Sequence, residues 1–485
     1  MPGNITTNLM AILPEIWLIV LSIVLLAVDA FTRKKGQLTV AWVAFAGLIF
    51  SFILTWLVNW PADTVQLVWG NLIILDGASF VFKLLFFLGA ALTVLFSLDH
   101  EDLTNHGEFY VLLVISTLGM SLMASVNNLI MLYLAIETTS IPLYVLTGFI
   151  TGERKSAEAG IKYFMFGATT SAIMLFGFSL LYGFTGTTDL TQIGAVFTTN
   201  QFPLYLIMAA FVLVLVGFGF KVSAVPFHFW APDVYEGAPT PITGFLSTAS
   251  KAAGFAVLIR FLFVVFPSVI DNWSILIGVI SAVTMVVGNL LALTQKNIKR
   301  LLAYSSIAQA GYMLIGVAAA SDLGASGTVY YLIAYLLTNI AAFGLISIIG
   351  KYLGSDEISA YAGLSRRSPL LAFFLLVAFL SLAGIPPFGG FIGKVLVFAS
   401  AVNTSNLLWL AIFGIINAII ALYYYLTVLK VVYLYRSEQE EKPIKLAPRS
   451  KAVLSFCVAG IIIIGFVIAP FFGLSSSAAA AFLGF

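Results

Sequence analysis

Six basic residues lie inside long apolar runs of this chain: Lys83, Lys221, Lys251, Arg260, Lys394 and Lys430. A charge at the centre of a bilayer costs at least about 2.5–3.5 kcal/mol, so their depth decides their use. Lys83, Arg260 and Lys430 stand within about six residues of the end of a run, where a long side chain reaches the headgroups, and are read as interfacial anchors. Lys251 lies about ten residues from either end of a run some 25 residues long, and Lys221 and Lys394 adjoin proline-rich turns. These three are expected to carry protons. Glu137 is the one carboxylate near the middle of an apolar run. Burial and a nearby opposite charge act in opposite directions on proton affinity, so a Glu–Lys pair at this depth changes its affinity sharply when one partner moves. Lys221 is the expected partner of Glu137.

Polar residues fall at helical spacing between these charges. Ser247 and Thr248 share a face with Lys251; Ser305, Gln309 and Tyr312 form an i, i+4, i+7 stripe; Tyr331, Tyr335, Thr338 and Asn339 form another. Such groups often bond from helix to helix, but beside mid-membrane lysines they are read as the lining of a hydrated path, with Tyr331 and Tyr335 as relays. His228, just past Pro226, is a candidate relay because imidazole titrates near neutral pH, or else a cap. Cys457 is read as packing. One cysteine and three histidines leave no obvious ligand set for an iron–sulfur cluster or haem, so no cofactor or metal is expected in this chain.

The elements that hold these residues must be membrane helices. Only 9% of the 485 residues are charged and 61% are hydrophobic, which no ordinary soluble surface allows. The 23 basic residues are dispersed, which excludes a nucleic-acid partner. Counting runs of about 20 apolar residues gives about fourteen spans, all helical because an open sheet edge cannot sit in lipid. The first run lacks a basic start and a cleavage site and is read as a permanent span; the last is expected at 451–474. Basic residues gather at 33–35, 154–155, 296–300, 351–367 and 436–451, always after an odd-numbered span, whereas the loops after even-numbered spans carry Asp63, Asp76, Asp189, Asp271 and Asp322. The basic loops belong in the cytoplasm, with both termini outside.

Two spans are expected to break near mid-membrane, the seventh at Pro226 and the twelfth at Pro386-Pro387, because proline disrupts the preceding turn. The breaks are five spans apart, an odd number, so the fold class is an all-α membrane bundle containing two inverted five-helix repeats. The expected units are 1–107 (three helices), 108–266 (spans 4–8), 267–435 (spans 9–13) and 436–485 (a loop and the last helix).

With these residues in place, the chain resembles the antiporter-like membrane subunits of proton-pumping NADH:quinone oxidoreductase, respiratory complex I. The resemblance covers nearly the whole length and rests on Glu137 in Leu134-Ala-Ile-Glu-Thr-Thr, Lys221 before Pro226, His228 and Trp230, Lys251 in Ser247-Thr-Ala-Ser-Lys-Ala, Lys394 after the second break, and Gln295-Lys296-Asn-Ile-Lys299-Arg300-Leu-Leu-Ala-Tyr-Ser-Ser opening the tenth span. Within that family it is most similar to the subunits lettered N, having Lys394 where the M type carries Glu and no long lateral helix after its last span. The resemblance implies proton translocation driven by quinone reduction elsewhere in the complex, in a bacterial cytoplasmic membrane. It places NAD, FMN, iron–sulfur clusters and quinone in partner subunits. The implied partners are neighbouring antiporter-like and small membrane subunits, a peripheral redox arm and lipids. It also implies Glu137, Lys221, Lys251 and Lys394 as the translocation residues. The span 11 histidine of some sister subunits is missing, so the link beyond Lys251 would run through Tyr331, Tyr335 or water. A cation/proton antiporter subunit, a membrane-bound energy-conserving hydrogenase subunit and a passive scaffold are the alternatives.

Overall fold

The computed structural model describes residues 5–32, 37–61, 65–199, 202–437, 443–444 and 446–483. The basic cluster at 33–35, Asp63 and positions 438–442 and 445 of the last basic loop lie outside them. The chain opens with α1 (Ile5–Ala11), α2 (Leu13–Thr32) and α3 (Gln37–Val58), then an antiparallel hairpin of β1 (Gln66–Val68) and β2 (Ile73–Leu75), then α4 (Gly77–Ser97) and α5 (Glu101–Thr104). Next come α6 (Gly107–Ser125), α7 (Leu129–Thr147), α8 (Arg154–Thr185), α9 (Leu190–Thr199), α10 (Leu204–Val222), α11 (Trp230–Gly237), α12 (Thr240–Phe245) and, after a π-helical turn at Leu246–Ser250, α13 (Lys251–Val265). They are followed by α14 (Ile270–Leu293), α15 (Ile298–Ala318), α16 (Asp322–Leu353), α17 (Leu364–Arg367), α18 (Pro369–Ala383), α19 (Gly389–Asn403) and α20 (Leu408–Leu434). The last elements are α21 (Pro448–Phe466) and α22 (Ile468–Leu483).

Among the described residues thirteen helices are long and apolar enough to cross a membrane. The chain is an all-α polytopic bundle. The count falls one short of fourteen: residues 369–403 hold two shorter apolar helices, α18 and α19, of 15 residues each. The last expected span, 451–474, also ends early. Pro470 has no N–H to give the Phe466 carbonyl; helical geometry lapses at Val467, and α22 turns back onto α4 and α16.

Helix starts follow local chemistry. Asp76 caps α4 in a reciprocal capping box with Ser79, and Asn128, Asn297 and Ser321 cap α7, α15 and α16. α16 is enclosed along its whole apolar length and α15 and α13 nearly so, whereas α2, α8 and α20 turn Ile, Leu and Phe side chains outward. Small residues let the inner helices touch: a Cβ on Gly288 would lie 2.6 Å from the Ala308 nitrogen of α15.

The connecting loops meet in two sets. After even-numbered spans, Asn127 N donates to Leu72 O, Leu129 N to Thr188 O and Leu190 N to Asn127 O. After odd-numbered spans, Ile298 N donates to Asp356 O and Ile358 N to Lys296 O, Lys155 pairs with Glu236, and Arg300 with Asp233 and Glu236. Asn59 Nδ2 ties α1 to the end of α3 through Ala11 O, and Gly77 abuts Ser477 of α22.

Candidate proton-transfer site

α10 and α18 end in the same way. Ser223 (φ 59°) and Gly384 (φ 82°) take left-handed backbone, and each end is closed by the paired bonds of a Schellman turn. These are Ser223 N to Phe220 O with Ala224 N to Gly219 O, and Gly384 N to Ser381 O with Ile385 N to Leu380 O. The free carbonyls at such an end carry partial negative charge. Lys394, one turn into α19, reaches back to them: Nζ donates to Ala383 O at 2.9 Å and Leu382 O at 3.0 Å, and lies 4.8 Å from the centroid of the Tyr312 ring. A Cβ on Gly384 would strike Lys394 Cδ at 2.7 Å, and one on Gly390 would lie 2.1 Å from Ser381 O. Both glycines are needed for α19 to begin against α18 with its lysine folded back.

Lys251 follows directly on the π-helical turn, a rare distortion found mostly at functional sites. Its Nζ donates to Ser306 Oγ at 2.6 Å and to Ser306 O at 2.8 Å, and Tyr335 OH donates to the same Oγ at 2.9 Å. One turn along α15 and α16, Tyr331 OH donates to Gln309 Oε1, and Gln309 Nε2 donates to Leu382 O at 2.8 Å. The Leu382 carbonyl thus receives both Gln309 and Lys394. Between Lys251 and Lys394 the one stretch not closed by direct bonds is the single turn from Ser306 and Tyr335 to Gln309 and Tyr331.

Lys221 is buried in the last turn of α10, and its Nζ has no hydrogen-bond partner. A Cβ on Gly254 of α13 would lie 3.1 Å from Lys221 Cβ, so α13 meets α10 one turn from Lys251. Glu137 is half-buried on α7 and accepts a short hydrogen bond from Ser171 Oγ of α8. The direct Glu137–Lys221 ion pair is not formed. α7 and α10 both pack on α8. His228 is buried against Phe229, with Nδ1 unbonded.

Two expected anchors are not anchors. Lys83 is 1% exposed and its Nζ stands 2.8 Å from Glu15 Oε1 of α2, too oblique for a hydrogen bond; Ser121 Oγ donates to the same oxygen at 2.6 Å. Arg260 is 2% exposed and grips Asp76 with two bonds, at 2.7 and 3.0 Å, while also donating to Ala124 O. Neighbouring helices cover both side chains before they can reach the headgroups. Lys430 is exposed, over the Tyr435 ring. Sequence reasoning passed over Glu15, which lies toward the start of the first span, and Ser306, because the stripe runs through Ser305. Ser305 bonds Tyr425; its neighbour, about 100° around the helix, holds Lys251. Ser247 and Thr248 turn their hydroxyls back to Gly244 O.

Residues 126–421 match the family model described as NADH:quinone oxidoreductase/Mrp antiporter, TM. NADH-quinone oxidoreductase subunit N of Moorella thermoacetica is 43% identical over 478 residues, 98% of this chain and 99% of that one. The chain belongs to the NADH-quinone oxidoreductase subunit N family. A chain of respiratory complex I from Thermus thermophilus with bound Aureothin shares this fold at 34% identity and a TM-score of 0.80, over 96% of this chain and all of that one. A chain of the Mrp complex from Dietzia has the same fold at 20% identity, with a TM-score of 0.86 and 98% of each chain covered. As a member of the subunit N family, the chain is an antiporter-like membrane subunit of an enzyme complex. Among its described residues no three His, Cys, Asp or Glu side chains stand together to hold a metal ion.

Proposed function

We propose that this proton-translocating subunit of NADH:quinone oxidoreductase moves protons through Glu137, Lys221, Lys251 and Lys394, driven by quinone reduction elsewhere in the complex. The observation that carries this reading is the run of buried polar groups between Lys251 and Lys394, Ser306 with Tyr335 and then, one turn on, Tyr331 with Gln309, both tyrosines standing on the span that lacks the histidine. Every member is buried, so charge entering at Lys251 has a polar route across α15 and α16. Lys221 and Glu137 form the input end. Movement of Glu137 toward or away from Lys221 alters the lysine's hold on its proton, which then passes to Lys251. His228, beside the break, is a relay on the cytoplasmic side of Lys221.

The two matched helix ends, with Pro226 and Pro386-Pro387 just beyond them, support reading 108–266 and 267–435 as inverted repeats with broken seventh and twelfth spans. Residues 1–107 then form a three-helix preface and 436–485 the closing segment. The joining of the loops after odd-numbered spans to one another supports one cytoplasmic face and both termini outside, in a bacterial cytoplasmic membrane. Neighbouring antiporter-like and small membrane subunits, a peripheral redox arm and lipids are the partners, and the nicotinamide, flavin, iron–sulfur and quinone chemistry belongs to them.

Glu137→Gln tests the input end, because it keeps the Ser171 hydrogen bond and removes the charge. NADH-driven quinone reduction and proton uptake should both fall in the same membranes, normalised to assembled complex, with Glu137→Asp retaining part. Wild-type values for Glu137→Gln would leave the carboxylate as a structural partner of Ser171 only.

A further inference from the structure

We propose that the Ser306 hydroxyl is the proton carrier through which Lys251 exchanges with Lys394; this rests on the translocation reading above. Among the described residues Lys251 Nζ bonds to one residue, Ser306, through Oγ and the carbonyl oxygen. The carbonyl accepts but has no proton to hand on, so the hydroxyl is the conducting contact. Lys251, Ser306 and Tyr335 are each no more than 2% exposed, which closes a direct route to bulk water.

A serine hydroxyl has two acceptor lone pairs and one rotatable proton. With Lys251 charged, the ammonium and the Tyr335 hydroxyl occupy both lone pairs, and the Ser306 proton turns away from both. Transfer begins when Tyr335 turns its O–H toward the Tyr331–Gln309 turn and offers Ser306 its oxygen. A Lys251 N–H bond breaks as a new Ser306 O–H forms; the original Ser306 proton bonds to the Tyr335 oxygen. The original Tyr335 proton leaves through water to neutral Lys394, whose bonds to the Leu382 and Ala383 carbonyls hold its Nζ in place. In sum, Lys251 ammonium and Lys394 amine become Lys251 amine and Lys394 ammonium. No hydroxyl changes its charge, and rotation of each O–H resets the chain.

The test measures NADH-driven proton uptake per assembled complex in membranes for Lys251→Ala, Ser306→Ala, Ser306→Thr and Tyr335→Phe. Ser306→Ala and Tyr335→Phe should fall at least about tenfold, to the level of Lys251→Ala, and Ser306→Thr should recover most of the rate because it restores a hydroxyl at the same Cβ. Normal uptake in Ser306→Ala or Tyr335→Phe beside a failed Lys251→Ala overturns the carrier role and leaves the path standing. Equal failure of the alanine and threonine variants overturns it as well, by placing the requirement on shape. Normal uptake in Lys251→Ala instead removes the path on which the proposal rests.

Discussion

Glu15→Gln should loosen the N-terminal helices from the bundle, and a second substitution should largely undo the damage. The Glu15 and Lys83 side chains are 5% and 1% exposed, with 2.8 Å between Nζ and Oε1. Removing one partner of such a pair leaves an uncompensated buried charge, at a cost of roughly 3–5 kcal/mol, whereas replacing both with apolar groups is often neutral. Glu15→Gln keeps a carbonyl for Ser121, so most of its cost is the stranded ammonium. About 3 kcal/mol is a factor of roughly 150 in a local opening equilibrium. Amide exchange across Gly107–Ser125 and Gly77–Ser97 in the purified complex should therefore rise by about two orders of magnitude in Glu15→Gln or Lys83→Met. In Glu15→Met with Lys83→Met it should return most of the way to wild type. Unchanged exchange in Lys83→Met alone would refute the reasoning, because it would mean that this lysine lives at the headgroups and the pair carries no load.

Two further outcomes are expected. His100 bonds Ser347 of α16, and burial, with Lys351 nearby, lowers its pKa from 6.5 to about 4. Its folded pKa is depressed, so the packed turn at 98–106 keeps its full stability above pH about 6.5 and loses up to about 3 kcal/mol as the pH falls to about 4. Amide exchange of that turn should accelerate across this window, and His100→Gln should flatten the dependence; a pH-independent wild type would contradict it. With Cys457→Ala as background, Thr187→Cys should react with an impermeant thiol reagent on intact cells and Ser365→Cys should not, and the opposite pattern would reverse the orientation.

The spans and the six embedded charges were legible because hydropathy and charge are local properties of the sequence. Their partners were not. Lys83 and Arg260 looked alike on distance from a span end, yet pairing with Glu15 and Asp76 depends on contacts between helices far apart in the chain. The Asp76-Gly-Ala-Ser79 start announces a capping box, but nothing local says that the same carboxylate also holds Arg260. Ser306 was missed for a geometric reason: Ser305 and Ser306 differ by one position, and which of them faces Lys251 depends on how α15 is rotated against α13. The stripe on α16 was easier, since Tyr331 and Tyr335 share one face of an unbroken helix. Pro226 and Pro386 marked where helices end, while the return of Lys394 to the carbonyls of α18 needed the left-handed turn at Gly384 to be seen in space.

Proton passage through Lys394 is the step on which the translocation reading depends most, and Lys394→Met tests it most directly. Methionine keeps much of the side chain's length and apolar packing while removing the ammonium that binds Leu382 O and Ala383 O. The measurement is NADH-driven proton uptake and quinone reduction in the same membranes, each normalised to assembled complex. Proton uptake should fall to about a tenth of wild type or less, with quinone reduction slowed beside it. Wild-type proton uptake in assembled Lys394→Met complex would contradict the account.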